Sequence, residues 1–298
     1  MSTATVCEFP DTTWAEDGPT RAVEALVESG AVLRFAQLPF VLDASERRFL
    51  DPQWADASAK NISVRWPAAA SQSPACELRG AVGVPGDRAA LQAMIVRYAE
   101  HAEALALRLF PHYRGRLQRG STSFRPVDVA GRKTSWRSDD TRLHVDAFPS
   151  NPMYGTRLLR VFCNVNPAGR ARAWRLGEPF EAHARRYLAD LTPALPGSAW
   201  LLHRLGIAKR RRTDYDHVML RLHDRAKADA AFQRDSPQRA IDFAPGTTWV
   251  VYSDQVLHAA MGGQHMFEQT FYLDAEHLQD PERAPLRTLE RLLGRPLL

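Results

Sequence analysis

Cysteine is scarce in this chain: only Cys7, Cys76 and Cys163 occur, and no two stand at Cys-x-x-Cys spacing. That scarcity excludes a disulfide framework and a cysteine-built zinc site, and leaves free thiols as the expectation. Long apolar runs are missing too. None approaches the roughly 18 residues needed to cross a bilayer, and Met1 to Gly18 is acidic and polar where a secretory leader would be basic and then apolar. A cytoplasmic chain is the expectation. There is no internal repeat and no low-complexity run, which excludes solenoid and fibrous architectures. Lysine is nearly absent: only four of the 39 cationic residues are lysine, the rest arginine. The net charge of +5 and the pI near 9.3 hint at an anionic partner, although an arginine-rich composition gives the same balance without one. The basic residues are scattered over several segments without interleaved stacking aromatics, so nucleic acid is not expected as a partner.

What is present describes a globular chain. Of its 298 residues 45% are hydrophobic and 24% charged, enough to bury a sizeable core. One domain with insertions over 1–298 is the reading, divided into an N-terminal helical and strand support (19–112), a β core (113–167 and 240–274), a mainly helical insertion (168–239) and a C-terminal helix (283–298). In the support, a short helix from Pro19 stops at Gly30 and runs into the strand Ala31 to Phe35. Ala68 to Pro74 reads as a loop. Asp87 is expected to cap a long helix in which Leu91, Met94, Ile95, Tyr98, Ala102, Leu105 and Leu109 repeat at helical spacing. Strands are expected at Tyr113 to Arg125, Leu143 to Phe148, Thr156 to Asn166, Thr247 to Ser253 and His265 to Leu273, and helices at Glu178 to Leu191, Ala199 to Leu205 and Tyr215 to Lys227. The tail places Leu286, Leu289, Leu292 and Leu293 on one helix face, which fits packing and homo-oligomerisation equally.

The chemistry-bearing pattern is His144-Val145-Asp146. In a strand, residues i and i+2 point to the same face, so both side chains can bind one metal ion. The other tripeptide of this kind, His101-Ala102-Glu103, lies in the long helix pattern, where the two side chains are about 200° apart. Further on, Thr247 to Tyr252 reads as a strand, Ser253-Asp254-Gln255 as a turn, and Val256 to Ala260 as a second strand that brings His258 inward. Two ligands close in sequence and a third about 110 residues later match the facial 2-His-1-carboxylate triad, which leaves three positions open on Fe(II). Open positions can hold a bidentate 2-oxoacid together with dioxygen, whereas structural zinc would take a fourth protein ligand. Taken singly, each histidine also reads as an ordinary hydrogen-bonded core residue.

With these residues in place the chain resembles the Fe(II)/2-oxoglutarate-dependent dioxygenases, whose β-helix carries a His-x-Asp and then a distal His. Three longer stretches look like the Kdo (3-deoxy-D-manno-oct-2-ulosonic acid) hydroxylases, bacterial dioxygenases acting on the inner sugar of lipopolysaccharide. These are Leu159-Arg160-Val161-Phe162-Cys163-Asn164-Val165-Asn166-Pro167, Tyr215-Asp216-His217-Val218-Met219-Leu220-Arg221-Leu222-His223-Asp224 and Ser253-Asp254-Gln255-Val256-Leu257-His258-Ala259-Ala260. The resemblance implies an α+β fold: a double-stranded β-helix core of the jelly-roll, cupin-like kind, with flanking helices and a helical insertion. It implies His144, Asp146 and His258 as metal ligands and catalytic centre, Fe(II) as metal, 2-oxoglutarate and O2 as co-substrates, and ascorbate as a supporting reductant. The reaction implied is hydroxylation at C3 of Kdo in Kdo-lipid A to give Ko, with succinate and CO2 as co-products.

One position departs from the superfamily pattern. Many members carry a cation about ten residues beyond the distal His, but here that region reads Phe267-Glu268-Gln269-Thr270-Phe271. A buried carboxylate needs a charge partner, and Arg160 is the first candidate for it, with Gln269 and Thr270 adding hydrogen bonds. Arg125 is the runner-up, or a substrate-binding residue. A solvated strand-face arginine is the plainer reading of either. Asp216 and His217 either line the sugar site or are a helix-capping Asp and a structural His. Arg170, Arg172, Arg175, Arg185, Arg186 and the run Lys209-Arg210-Arg211-Arg212 are candidates for the Kdo carboxylate and lipid A phosphates. The last run would meet headgroups at the cytoplasmic face of the inner membrane, unless it is only a solvated basic loop. Two other functions stay open: a 2-oxoglutarate oxygenase acting on a protein or another small molecule, and a non-catalytic cupin-like metal-binding barrel.

Overall fold

Alternation along the β-rich segments builds two sheets, seen in a computed structural model that describes residues 3–15, 23–59, 61–66, 76–128 and 135–298. The strands are β1 (Val6–Phe9), β2 (Val32–Phe35), β3 (Ile62–Arg65), β4 (Glu77–Arg79), β5 (Gln118–Arg125), β6 (Arg157–Asn164), β7 (Arg172–Leu176), β8 (Arg239–Phe243), β9 (Thr248–Tyr252), β10 (His258–Gly262) and β11 (Met266–Leu273). The helices are α1 (Glu24–Glu28), α2 (Pro85–Leu109), α3 (Phe180–Leu188), α4 (Ser198–Arg204), α5 (Asp214–Ala228), α6 (Ala230–Asp235) and α7 (Pro285–Leu293). The large sheet runs β1-β2-β9-β6-β11-β5-β3-β4 and the small one β10-β7-β8. Every pairing is antiparallel except β1 with β2.

Three apolar cores hold the layers together. On one face of the large sheet α2 buries the seven residues of its helical stripe against Leu159, Val161, Val250, Phe267 and Phe271. Tyr98 stacks on Phe267 at 4.8 Å and donates a hydrogen bond to Val161 O at 2.9 Å, fixing the helix to the sheet's centre. Truncating one of these fully buried large side chains to Ala costs about 2–5 kcal/mol. On the other face Phe162, Trp249, Val251 and Met266 meet Trp174, Ile241 and Phe243 of the small sheet, with Phe243 stacked on Trp249 at 4.0 Å. A third core gathers α3, α5 and α7 over Leu143, Val145 and Leu257; Leu286 and Leu289 of α7 are buried in it, with Leu292 and Leu293 partly so. Packing thus accounts for the C-terminal stripe. Among the described residues no helix is long and apolar enough to cross a membrane.

Several local expectations change. Asp87 does not cap α2: the helix follows extended Val84 with Pro85 in its first turn, and Asp87 inside that turn pairs with Arg48 at 2.9 Å. Tyr113 belongs to a single 3₁₀ turn, Pro111–Tyr113, and the strand begins at Gln118. Leu143 to Phe148 is not a strand: it forms one isolated bridge, at His144, because its next backbone donor, Asp146 N, turns to Ser253 O. The segment expected to be helical from 168 on opens with β7, whose Arg172, Trp174 and Leu176 are buried while Ala173 and Arg175 are half-buried. The stretch 68–74 and the first residues of the Pro19 helix lie outside the described residues.

Candidate active site

β10 places His258 directly across from His144. The two residues exchange backbone hydrogen bonds, His144 N to His258 O at 3.1 Å and His258 N to His144 O at 2.9 Å, so both ligands are fixed by the ladder before any metal arrives. Two residues on, Asp146 N donates to Ser253 O at 2.8 Å, which turns the carboxylate toward the same point. His144 Nδ1 lies 2.7 Å from Arg142 O and His258 Nδ1 lies 2.9 Å from Val256 O. A carbonyl can only accept, so each Nδ1 carries the proton and each Nε2 keeps its lone pair free for a metal. Trp174 stacks on the His258 ring at 5.0 Å and holds its plane.

The ligand atoms of His144, Asp146 and His258 all lie within 4.8 Å of one another, the only such group of three or more among the described residues. Burial, reinforced by the neighbouring His258 and Lys227, holds the His144 imidazole well below its ordinary pKa, and burial also lowers that of His258. Burial alone would raise the Asp146 carboxyl, but Arg160 and the two imidazoles outweigh it and keep it well below the usual carboxylate range. Neutral imidazoles and an ionised carboxylate are the forms that bind a metal. The residues therefore fit a divalent ion held by three protein ligands, with the remaining positions facing a cavity.

That cavity, about 190 Å³, is lined by the triad, three arginines, Asp140, Glu268 and a wall containing Ser123, Phe162, Trp174 and Met266. Arg160 lies 3.1 Å from Asp146 and 2.9 Å from Glu268, and Arg125 lies 2.5 Å from Glu268. Arg172 differs: among the described residues it has no carboxylate within ion-pair reach, its NH1 donates to Gly263 O at 2.6 Å, and its Nε has no partner. Burial, together with nearby Arg125, pulls its pKa down to about 10. The Nε1 of Trp174 is likewise buried without a partner. Three arginines face three carboxylates in this lining while the imidazoles are neutral. A divalent metal would leave a charge of about +2, which a dicarboxylate neutralises.

Arg160 and Arg125 thus both line the cavity, and both are paired there with Glu268. Thr270, paired across the strands with Arg160, is buried beside it without lining the cavity. Gln269 is corrected: it points to the opposite face with Phe267 and Phe271, where its Oε1 accepts from Thr122 and its Nε2 from there bonds Gly120 O at 3.4 Å. Asp216 lines a neighbouring cavity of about 20 Å³ that shares Asp146 and Phe148 with the main one. Its carboxylate is already used by the α5 capping box with Thr213 and by Met153 N at 2.6 Å, the helix-capping reading. His217 is corrected as well: it lines neither cavity and bonds Thr192 O at 3.0 Å. Trp174, Glu268 and Asp140 are among the lining residues that the sequence pattern did not single out. The alternation Arg172-x-Trp174-x-Leu176 was the available signal for the first of them.

Residues 11–296 match the family model of 3-deoxy-D-manno-oct-2-ulosonic acid (Kdo) hydroxylases. Among solved structures the chain is similar to the Kdo hydroxylase KdoO, a non-heme Fe(II) alpha-ketoglutarate dependent dioxygenase, in complex with alpha-ketoglutarate and Fe(III). The two share 45% identity over 99% of this chain and 97% of that one, with a TM-score of 0.91. The cobalt(II) complex of KdoO gives 46% identity, 98% and 97% coverage and a TM-score of 0.91. Its complex with succinate and Fe(III) gives 45%, 98%, 97% and 0.90. A search of curated proteins gave no match.

Proposed function

This chain belongs to the Kdo hydroxylase family, and from that we propose that it hydroxylates C3 of Kdo in Kdo-lipid A, giving Ko. It is an Fe(II)/2-oxoglutarate-dependent dioxygenase. Bound iron with 2-oxoglutarate and O2 supplies the oxidation of an unactivated C–H bond, with succinate and CO2 as co-products. The observation that carries the reading is the pair of imidazoles tied at Nδ1 to their own backbone, aimed with Asp146 at an arginine-lined cavity.

The chain's own residues have distinct tasks in this proposal. His144, Asp146 and His258 hold the iron. Arg160, set between Asp146 and Glu268, receives the far carboxylate of 2-oxoglutarate, displacing part of its present pairing, and Thr270 packs behind it. Arg172 and the Trp174 N–H, both without an anionic partner, receive the Kdo carboxylate, and Arg125 flanks them from β5. Phe162, Met266 and the Trp174 ring keep water from the reacting carbon. The strand order supports a double-stranded β-helix: β5, β11, β6 and β9 are neighbours in one sheet, and β8, β7, β10 and the His144 bridge oppose them in the other.

The test is mass spectrometry of a Kdo-bearing lipid A precursor incubated with the protein, Fe(II), 2-oxoglutarate, ascorbate and air. The expected product is Kdo heavier by one oxygen, dependent on both iron and 2-oxoglutarate, with succinate in parallel. Succinate without sugar oxidation would move the acceptor to another small molecule or a protein.

A further inference from the structure

The segment from Leu195 to Arg212 combines exposed apolar side chains with a run of basic ones. Among the described residues twelve large hydrophobics are exposed, and five of them are Leu195, Trp200, Leu201, Leu205 and Ile207, each between 50% and 77% accessible. Trp200 is the one aromatic of the twelve. These residues lie on and around α4, a two-turn helix that buries none of its residues. No Asp or Glu occurs between Asp190 and Asp214, while Arg204, Lys209, Arg210, Arg211 and Arg212 all fall there. None of these five cations pairs with a carboxylate of a described residue, although the chain otherwise pairs its surface arginines freely. A self-association face would set five like charges of one copy against the same five of the other. Apolar side chains with tryptophan, ringed by arginine and lysine, are what a helix lying in the headgroup region of an anionic bilayer presents.

The patch is also tied to the active site. Lys209 N donates to Ser150 O at 3.0 Å, Arg212 donates to Pro149 O, Tyr154 OH donates to Arg211 O, and Arg210 lies over the Tyr154 ring at 5.5 Å. Residues 149–154 continue directly from Asp146, a ligand of the triad, and from Phe148, which lines both cavities. A surface that engages the basic run therefore meets the loop that borders the reaction chamber.

We propose that Leu195–Arg212 is a membrane-docking element that seats the enzyme on an anionic bilayer, with Trp200, Leu201, Leu205 and Ile207 entering the headgroup region and Lys209–Arg211 meeting lipid phosphates. The inference rests on the reading that the acceptor sugar is borne by a lipid. Docking holds the cavity at the height of the sugar and lets the protein find its acceptor by diffusion in two dimensions.

The experiment is flotation of the metal-loaded protein with vesicles of phosphatidylethanolamine and phosphatidylglycerol, against phosphatidylcholine vesicles, at low and high salt. Binding to the anionic vesicles alone, weakened by salt, is expected. Lys209→Gln/Arg210→Gln/Arg211→Gln should weaken it about a hundredfold, from about tenfold or less per charge. Trp200→Ser/Leu201→Ser should weaken it without changing the salt dependence. In parallel, turnover is measured on a lipid-free Kdo oligosaccharide and on Kdo-lipid A in vesicles. The Trp200→Ser/Leu201→Ser variant should keep lipid-free turnover and lose most vesicle turnover, whereas absence of lipid-free turnover in the unmodified enzyme reports on the acceptor assignment rather than on docking. Absence of vesicle binding, or binding unchanged in both variants, overturns docking. So does a dimer, seen by sedimentation, that the Trp200→Ser/Leu201→Ser change dissociates while vesicles are ignored.

Discussion

Replacing Arg160 with Met separates its two roles. The guanidinium stands 3.1 Å from Asp146 and 2.9 Å from Glu268 in a nearly buried site. At an effective dielectric near 20, each contact is worth about 5 kcal/mol of attraction. Most of that offsets the cost of keeping three charges out of water, so the net loss on removal is about 3–5 kcal/mol. Glu268 keeps Arg125 at 2.5 Å, which leaves Asp146 as the stranded carboxylate. In the metal-free protein the variant should therefore unfold at lower urea by about 3–5 kcal/mol of stability. A divalent metal supplies Asp146 with a new counter-ion, and the cation that opposed that metal is gone. Metal affinity, followed by cobalt(II) absorbance, should hold or rise, while 2-oxoglutarate affinity, followed by the same spectrum, should fall about 10²–10³-fold with loss of a charge-assisted fork. Opposite signs for metal and 2-oxoglutarate are the essence of the reasoning. Parallel loss of both, or a metal-free stability change under about 1 kcal/mol, would refute it.

His144→Ala, Asp146→Ala or His258→Ala should each abolish iron-dependent turnover while leaving the far-ultraviolet dichroism largely intact; substantial turnover in any one removes that residue from the triad. His183 on α3 packs against Tyr187 and Phe232 with neither ring nitrogen partnered, and burial pushes its pKa down to about 3. Below about pH 6.5 the unfolded chain takes up this proton and the folded chain does not, so stability falls by about 1.4 kcal/mol per pH unit until the folded pKa is reached. His183→Phe should flatten the decline between pH 6 and 4 in urea titrations, and an equal decline in both proteins excludes this residue as its source. Gly263 adopts φ +102°, and a Cβ there would sit 2.8 Å from Ala171 O and 3.1 Å from Arg172 Cα. Gly263→Ala should cost about 1–3 kcal/mol and, by moving the carbonyl that anchors Arg172, raise KM for Kdo-lipid A more than for 2-oxoglutarate. Equal KM shifts would argue against Arg172 as the sugar's cation.

Parts of this architecture are legible in the sequence because each depends on one periodicity. The stripe from Leu91 to Leu109 repeats at helical spacing and becomes the face that α2 buries. His144 and Asp146 share a side because they stand two apart in extended chain, even though the expected strand shrinks to a single bridge. Orientation in β11 could not be read the same way. Seven of its eight residues are buried, so polarity does not mark its faces, and Gln269 looks no different from Glu268 until Thr122 and Arg160 are placed on opposite sides of it. β7 was hidden because arginines at 172 and 175 occupy both of its faces, one buried over the cavity and one half-buried beside Gln238. Asp216 and His217 are consecutive on a helix, about 100° apart, so only one could have faced the site.

The reciprocal bridge between His144 and His258 joins segments separated by more than a hundred residues of chain, and α3 to α6 all lie within that span. A metal ion bound there would tie the two ends of that span and, by binding the folded chain and not the unfolded one, stabilise it by about 2.7 kcal/mol at a hundredfold excess over its dissociation constant. Iron is thereby a fastener as well as a reagent. A molecule that loses it keeps its ligands in register through the backbone, yet the whole helical block between them gains the freedom to open, and susceptibility of that block to proteases becomes a gauge of how much of the enzyme is loaded.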